Sequence, residues 1–144
     1  MDQGYVMKVL TLGTFDITHY GHWSFLKKCS EFGEVWIGLN SDEFILKYKK
    51  KKPILCYNER KLTLELAGYK NILPNNQADG TIKDVFLQVI PNVIVIGSDW
   101  LRKDYLSQIG LTPDYLDLFN TSLFYVPYTK TISTTEIIKR CKVY

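Results

Sequence analysis

The chain has 144 residues, of which 46% are apolar and 14% aromatic, and its 18 basic and 15 acidic residues leave a net charge of +3. This length and apolar fraction suffice for one packed core and exclude a mainly disordered chain, so we expect a single domain over residues 1–144. The small net charge argues against a nucleic-acid partner. No apolar run reaches the roughly 18 residues that a membrane span needs, so we expect no membrane partner.

The N-terminus and the cysteines indicate the compartment. The first residues lack the basic, apolar and small-residue order of a signal peptide, so we expect a cytoplasmic protein. Cys29, Cys56 and Cys141 are odd in number, far apart and outside any CxxC pattern. This argues against a disulfide framework or a zinc site, and we expect reduced cysteines with a structural role.

Four short apolar runs predict buried strands, at residues 5–12, 34–39, 93–96 and 123–126. Apolar side chains recur at helical spacing between them, in three sets: Trp23, Leu26 and Cys29; Leu62, Leu66 and Tyr69; Val85, Phe86, Val89 and Ile90. Strands that alternate with helices predict an α/β fold, with a doubly wound (Rossmann-like) parallel sheet and helices on both faces.

Three segments have the pattern of helix starts. Residues 81–84 (TIKD) and 133–136 (STTE) resemble capping boxes, and Pro113 follows Thr112 as a first-turn proline would. In open α/β sheets, ligands bind at the carboxyl ends of the strands. We therefore expect a site in the loops after Leu12, Leu39, Ile96 and Val126.

The two histidines of the chain, His19 and His22, lie three residues apart after the first predicted strand, in residues 13–22 (GTFDITHYGH). Two histidines placed at random would show this spacing about once in seventy times, so we treat the pair as a motif. At a helix start, such residues share a face, and the unpaired N–H groups there favour phosphate. The alternative is a pair that only caps or packs.

Four further features favour a polyphosphate site. Gly13 ends the strand where a backbone would approach phosphate closely, and Asp16 follows three residues later. Five lysines crowd into residues 47–52, and residues 131–135 (TISTT) form a second hydroxyl-rich helix start. Two helix N-termini, two histidines and several lysines together predict a cradle for a triphosphate.

These motifs resemble those of the HxGH nucleotidyltransferase superfamily. Residues 13–22 look like its HxGH signature, and residues 132–135 (ISTT) look like its second signature. Residues 41–44 (SDEF), Tyr57 with Arg60, and residues 97–100 (GSDW) are similar to the glycerol-3-phosphate cytidylyltransferases of bacterial teichoic acid and capsule pathways. The similarity extends over nearly the whole chain.

The resemblance implies transfer of CMP from CTP to a phosphorylated polyol, with glycerol 3-phosphate the leading candidate. It also implies Mg²⁺ together with CTP as co-substrate, and a homodimer. One alternative keeps the reaction but uses ATP or another acceptor, such as a sugar phosphate. A non-enzymatic alternative is a nucleotide-binding or sensing module that uses the lysine run and leaves both histidines idle.

The resemblance also implies roles for individual residues. The catalytic set is His19, His22, Lys49 and Lys51, with the choice among the lysines of residues 49–52 left open. The nucleotide-binding set is Gly13, Thr14, Phe15, Asp16, Gly21, Asp99, Trp100, Thr129, Ile132, Ser133 and Thr134, and Asp16 is also the metal candidate. The substrate-binding set is Asp42, Arg60 and Tyr128.

Several of these assignments have a structural alternative. The lysine run fits a solvated loop, and Trp100 fits a core position. Asp42 fits a helix cap, and Arg60 fits an exposed helix position.

The chain departs from the family pattern at four positions. Tyr128 stands where the second signature has an arginine, and Thr131 where it has a glycine. Gly68 stands where a second substrate-side arginine is expected, and Asn71 where an aspartate is usual. The loss of two cations favours a larger or less charged acceptor. The segment of residues 105–119 is also longer than its counterpart in the glycerol-phosphate enzymes, and such a difference could reshape the acceptor pocket.

Overall fold

A computed structural model describes residues 6–76, 81–97, 110–127 and 132–143. The strands in these ranges are β1 (Lys8–Gly13), β2 (Glu34–Asn40), β3 (Asn71–Asn75), β4 (Val93–Gly97) and β5 (Ser122–Val126). The helices are α1 (Tyr20–Ser30), α2 (Asp42–Lys49), α3 (Tyr57–Leu66), α4 (Lys83–Val89), α5 (Pro113–Leu118) and α6 (Thr134–Cys141).

The strands form one parallel sheet in the order β3-β2-β1-β4-β5. The central strand β1 pairs with β2 on one side and β4 on the other, so that Val9 lies beside both Val35 and Val93. The strand order reverses between β1 and β4, and ligands bind at such a switch point in open α/β sheets. The predicted doubly wound α/β fold is confirmed, and Gly13 at the end of β1 lies at the switch point.

The core has one layer on each face of the sheet because successive side chains of a strand point to opposite faces. Val9 of β1 packs with Leu26 and Cys29 of α1 and with Leu64 of α3. The next residue, Leu10, belongs to the other layer, which is completed by residues of α4 and α5 that include Val85, Phe86 and Leu116. Helices therefore cover both faces and leave the carboxyl edge of the sheet to the loops.

The helix predicted around Leu62 and Leu66 forms as α3, but these two side chains are 56% and 81% exposed, and Arg60 and Leu64 form its buried face instead. Thr81 is not the N-cap that the pattern of residues 81–84 predicted, since Ile82 holds that position in α4. Strand β3 (NILPN) was not predicted, and its proline is tolerated because β3 is an edge strand.

The other helix starts and the cysteines follow the expectations more closely. Ser133 caps α6, and Pro113 opens α5 behind the cap Thr112. The three cysteines are free, but only Cys29 is buried, so the structural role expected for all three fits Cys29 alone. No helix within the described ranges has both the length and the apolarity to cross a membrane.

Candidate active site

The two histidines form a reciprocal cap at the start of α1. His19 is the N-cap, and its Nδ1 atom accepts the backbone N–H of Gly21 at 3.1 Å. The Nδ1 atom of His22 in turn accepts the backbone N–H of His19 at 3.2 Å. This arrangement is a capping box in which both members are histidines, and it holds the ring centroids 4.0 Å apart.

This cap determines which nitrogen of each neutral ring carries the proton. A ring nitrogen that accepts a hydrogen bond carries no proton, so the neutral form of each ring carries its proton on Nε2. Burial, together with the nearby charge of His19, lowers the pKa of His22 to about 4. Burial also lowers the pKa of His19. Near pH 7, the site therefore holds two neutral imidazoles, each with an Nε2–H group left as a donor.

The loop between β1 and α1 is tightly built. Phe15 and Ile17 adopt left-handed backbone angles, with φ of 51° and 47°, a strained conformation that is common at functional sites. The buried Phe15 ring lies 5.5 Å from the His22 ring. A Cβ atom on Gly13 would come within 2.8 Å of the Phe15 ring. In this structure, Gly13 makes room for Phe15, and its predicted contact with phosphate stays a prediction.

Gly21 and Ile132 bring the start of α6 to the histidine pair. A Cβ atom on Gly21 would lie 2.8 Å from Cε1 of His19 and 3.0 Å from Cγ2 of Ile132. The Thr134 hydroxyl donates to the backbone oxygen of Asp16 at 2.7 Å, a contact between residues 118 positions apart. Ser133 caps α6 by accepting the backbone N–H of Glu136. The N-termini of α1 and α6 therefore meet at the same loop, and both favour anions.

Asp16 organises this loop through its side chain. One carboxylate oxygen accepts the backbone N–H of Ile54 at 2.7 Å, and the other accepts that of Leu55 at 2.9 Å. The residue is buried. The described residues include no group of three His, Cys, Asp or Glu side chains that could hold a metal ion. They therefore do not form a protein-only metal site, and the predicted role of Asp16 toward a metal stays a prediction.

Lys49 is the lysine of the run that contacts the loop after β1. Its Nζ atom donates to the Thr14 hydroxyl at 3.2 Å, and the Asn40 amide donates to the same oxygen at 3.2 Å. Burial and then the charge of Lys51 lower the pKa of Lys49. Helix α2 ends here because Lys50 adopts a left-handed φ of 60°. The structure thus brings Lys49 to the end of β1.

Arg60 lies beneath the same loop and is fully buried. Its guanidinium donates to the backbone oxygens of Thr14, Asn40 and Leu55 and to the Asp42 carboxylate at 2.7 Å. The exposed position considered for Arg60 is therefore wrong. A side chain with no exposed surface favours a positioning role over the predicted direct contact with a substrate.

Asp42 is half-exposed and lies beside a cavity of about 380 Å³ that Tyr57 and Asn76 also line. It does not cap α2, because that position belongs to Ser41, whose hydroxyl accepts the backbone N–H of Phe44. Asp42 instead holds the Arg60 guanidinium with one oxygen. Its predicted contact with substrate stays a prediction.

The model of the cytidylyltransferase-like family matches residues 10–140, a span that includes both histidines and Thr134. The chain belongs to this family. A glycerol-3-phosphate cytidylyltransferase from Bacillus spizizenii is 37% identical over 92% of this chain and 95% of its own length. One from Staphylococcus aureus is 32% identical over 90% and 91%.

Two further proteins resemble the chain at lower sequence identity. The bifunctional protein HldE of Helicobacter pylori is 29% identical over 93% of this cytidylyltransferase-like chain but over only 27% of its own length. A solved structure of a lipopolysaccharide core biosynthesis protein from Thermoplasma volcanium has a TM-score of 0.68 and 24% identity, and covers 87% of this chain and 100% of its own. That likeness concerns the fold alone.

Four predicted site residues of this cytidylyltransferase-like chain, Asp99, Trp100, Tyr128 and Thr129, lie outside the described residues, and their roles stay predictions. Conversely, the sequence patterns did not single out Asn40, which ends β2 and contacts both Thr14 and Arg60. A polar residue directly after a buried strand of a parallel sheet is the signal that could have identified it.

Proposed function

We propose that this chain is a glycerol-3-phosphate cytidylyltransferase, which transfers CMP from CTP to glycerol 3-phosphate and releases pyrophosphate. The observation that carries the proposal is the meeting of two helix N-termini with two neutral histidines and Lys49 at the switch point of the sheet. The relatives that bear this name, at 37% and 32% identity over almost their whole lengths, support the same reaction.

The reaction is an in-line exchange at the α-phosphorus of CTP. A phosphate oxygen of the acceptor forms the new bond, and the bond to the oxygen bridging to the β-phosphorus breaks, so that pyrophosphate leaves with that electron pair. The acceptor oxygen is already ionised and needs no general base. The task of the protein is to position the phosphates and to stabilise their charge.

His19 and His22 serve this task as hydrogen-bond donors. Their lowered pKa values and the capped Nδ1 atoms support two neutral rings that donate from Nε2 to phosphate oxygens and exchange no proton. Lys49, with Lys51 nearby, neutralises charge on the α-phosphate and the leaving group. The start of α6, with Ser133 and Thr134, holds the β- and γ-phosphates.

Magnesium enters this proposal as part of the substrate, Mg–CTP. Magnesium is usually bound by one or two carboxylates together with substrate phosphates and several waters. Asp16 fits as such a single carboxylate, because a carboxylate oxygen that accepts one backbone N–H still has further acceptor capacity. Its loop position supports a role in orienting the metal-bound triphosphate.

The nucleotide and the product are tested in one assay. The protein is incubated with Mg²⁺, glycerol 3-phosphate and one of CTP, ATP, GTP or UTP, and the products are identified by mass. The expected product is CDP-glycerol, formed from CTP. ADP-glycerol as the main product would replace this proposal with adenylyl transfer, and binding of CTP without any product would favour the nucleotide sensor.

A larger acceptor is a second candidate because two family arginines are absent. Gly68 ends α3 in a left-handed conformation, with φ of 103°, and the Tyr69 backbone N–H donates to the Leu64 oxygen across the turn. Glycine is favoured at such a helix end, so a structural reason accompanies the missing arginine. A panel of phosphorylated polyols and sugars, compared by kcat/KM, tests which acceptor is preferred.

A cytoplasmic homodimer completes the proposal. The resemblance to the glycerol-3-phosphate enzymes supports both the oligomeric state and the location. Light scattering coupled to size-exclusion chromatography tests the dimer, and cell fractionation tests the location.

A further inference from the structure

The buried Arg60 guanidinium connects three separate segments of the chain beside the proposed phosphate site. It donates to Thr14 in the loop after β1, to Asn40 at the end of β2 and to Leu55 before α3, at 2.8, 2.8 and 3.0 Å. A buried charge is tolerated only when it is paired and hydrogen-bonded, and Asp42 supplies the carboxylate. Arg60 therefore satisfies backbone oxygens that no apolar side chain could satisfy.

The same contacts extend to Lys49. Thr14 accepts Arg60 at its backbone oxygen and Lys49 at its hydroxyl. Asn40 accepts Arg60 at its backbone oxygen and donates from its amide to the Thr14 hydroxyl. The Thr14 hydroxyl, which accepts the Lys49 ammonium, is thus held by its own backbone and by the Asn40 amide, and Arg60 donates to the backbone oxygens of both residues.

Leu55 connects the contacts of Arg60 to the loop between β1 and α1. Its backbone oxygen accepts Arg60, and its backbone N–H donates to the Asp16 carboxylate. The backbone oxygen of Asp16 accepts the Thr134 hydroxyl at the start of α6. A displacement of Arg60 would therefore reach both the lysine and the second helix N-terminus.

We propose that Arg60, held by Asp42, is a positioning residue that fixes Thr14 and through it the Lys49 ammonium in the phosphate-binding geometry. This inference rests on the proposed function for the identity of the group that Lys49 binds. The planar fork of arginine suits three carbonyl oxygens in different directions, whereas the ammonium of a lysine cannot reproduce this arrangement.

A double-mutant cycle tests the proposal, with Arg60→Lys and Lys49→Ala made singly and together. Arg60→Lys keeps the charge and loses the fork, and we expect it to lower kcat/KM about ten- to a hundredfold. If Arg60 acts through Lys49, the double variant should match Lys49→Ala within about threefold, because coupled residues are not additive. Effects that multiply would overturn the proposal, since a merely structural loss is independent of Lys49.

Two further variants keep the test decisive. Asp42→Asn leaves the carbonyl contacts of Arg60 in place, and it enters the same cycle if Arg60→Lys does not fold. Arg140→Lys is the matched control, because Arg140 forms an exposed pair with Glu136 on α6, and we expect it to leave kcat/KM unchanged.

The affinity for CTP, measured by calorimetry over the same cycle, separates this inference from the proposed function. A wild type that binds CTP but forms no CDP-glycerol refutes the proposed function, while non-additive CTP affinities still support the positioning role. An active wild type with additive effects in both readouts refutes the positioning role alone.

Discussion

The Nδ1 atom of His22 accepts the backbone N–H of His19 at 3.2 Å, while Nδ1 of His19 accepts that of Gly21 at 3.1 Å. Each ring therefore uses one nitrogen to build the start of α1 and keeps the other as a donor. In each histidine, Nδ1 therefore has the structural role of capping the helix, and Nε2 has the proposed chemical role of donating to phosphate. Substitutions that preserve only one of these parts separate them.

His19→Asn and His19→Ala separate capping from catalysis. Asparagine is a favoured N-cap and keeps an acceptor near the position of Nδ1, so we expect His19→Asn to melt like the wild type, whereas alanine loses about 0.5–2 kcal/mol. Both variants, and His22→Ala, lose the Nε2–H donor, and we expect kcat to fall by about two to three orders of magnitude. Turnover near that of the wild type in any of the three would exclude a catalytic role for that histidine.

The titration of the histidines gives a second prediction. We expect an NMR titration to show a pKa of about 4 for His22 and a pKa below 6.5 for His19, and the assignment is simple because the chain has two histidines. Between pH 4 and 6.5, the unfolded chain binds more protons than the folded one, so the free energy of unfolding rises with pH. Urea unfolding at pH 5 and 7 measures this slope, and His22→Ala should reduce it. An unshifted pKa for His22 would contradict the buried neutral ring.

Gly21→Ala tests the close packing of the two helix N-termini. The added Cβ would press on the His19 ring and on Ile132, so we expect a loss of about 1–3 kcal/mol in stability and a clear fall in kcat. Lys27→Ala, on the exposed face of the same helix, is the control and should change neither quantity. Equal behaviour of the two variants in melting and turnover experiments would show that the contact is unimportant.

Magnesium dependence follows from the charge of the substrate. The roughly four negative charges of a triphosphate exceed what two neutral imidazoles and a few lysines offset, so we expect turnover to require a divalent ion. The assay is run in excess EDTA and again after Mg²⁺ is restored. Full activity in EDTA would remove magnesium from the proposal.

Acceptor preference depends on Tyr128, which lies outside the described residues. An arginine there would add a charge-assisted contact to the acceptor phosphate worth about 1.5–3 kcal/mol. We therefore expect Tyr128→Arg to raise kcat/KM for glycerol 3-phosphate. Steady-state kinetics on both proteins tests this, and a Tyr128→Arg variant with a lower kcat/KM for glycerol 3-phosphate than the wild type would show that the substitution has another meaning.

Local patterns in the sequence predicted much of the site and most of the fold. The spacing of His19 and His22, the cap at Ser133 and the apolar runs are short-range signals, and the structure forms a helix or strand at each of them. Strand β3 was missed because NILPN has weak strand propensity, and only pairing with β2 makes it a strand. The family likewise followed from the order of motifs along the chain, which needs no coordinates.

Contacts between distant segments were decided by the tertiary structure alone. No local pattern connects Asp16 to Thr134 or predicts that Arg60 is fully buried while Leu66 in the same helix is exposed. Hydropathy places an arginine at the surface, because burying its charge is costly. That cost is offset here only because three backbone oxygens from separate segments and one carboxylate converge on the guanidinium, and this convergence exists only once the sheet has assembled.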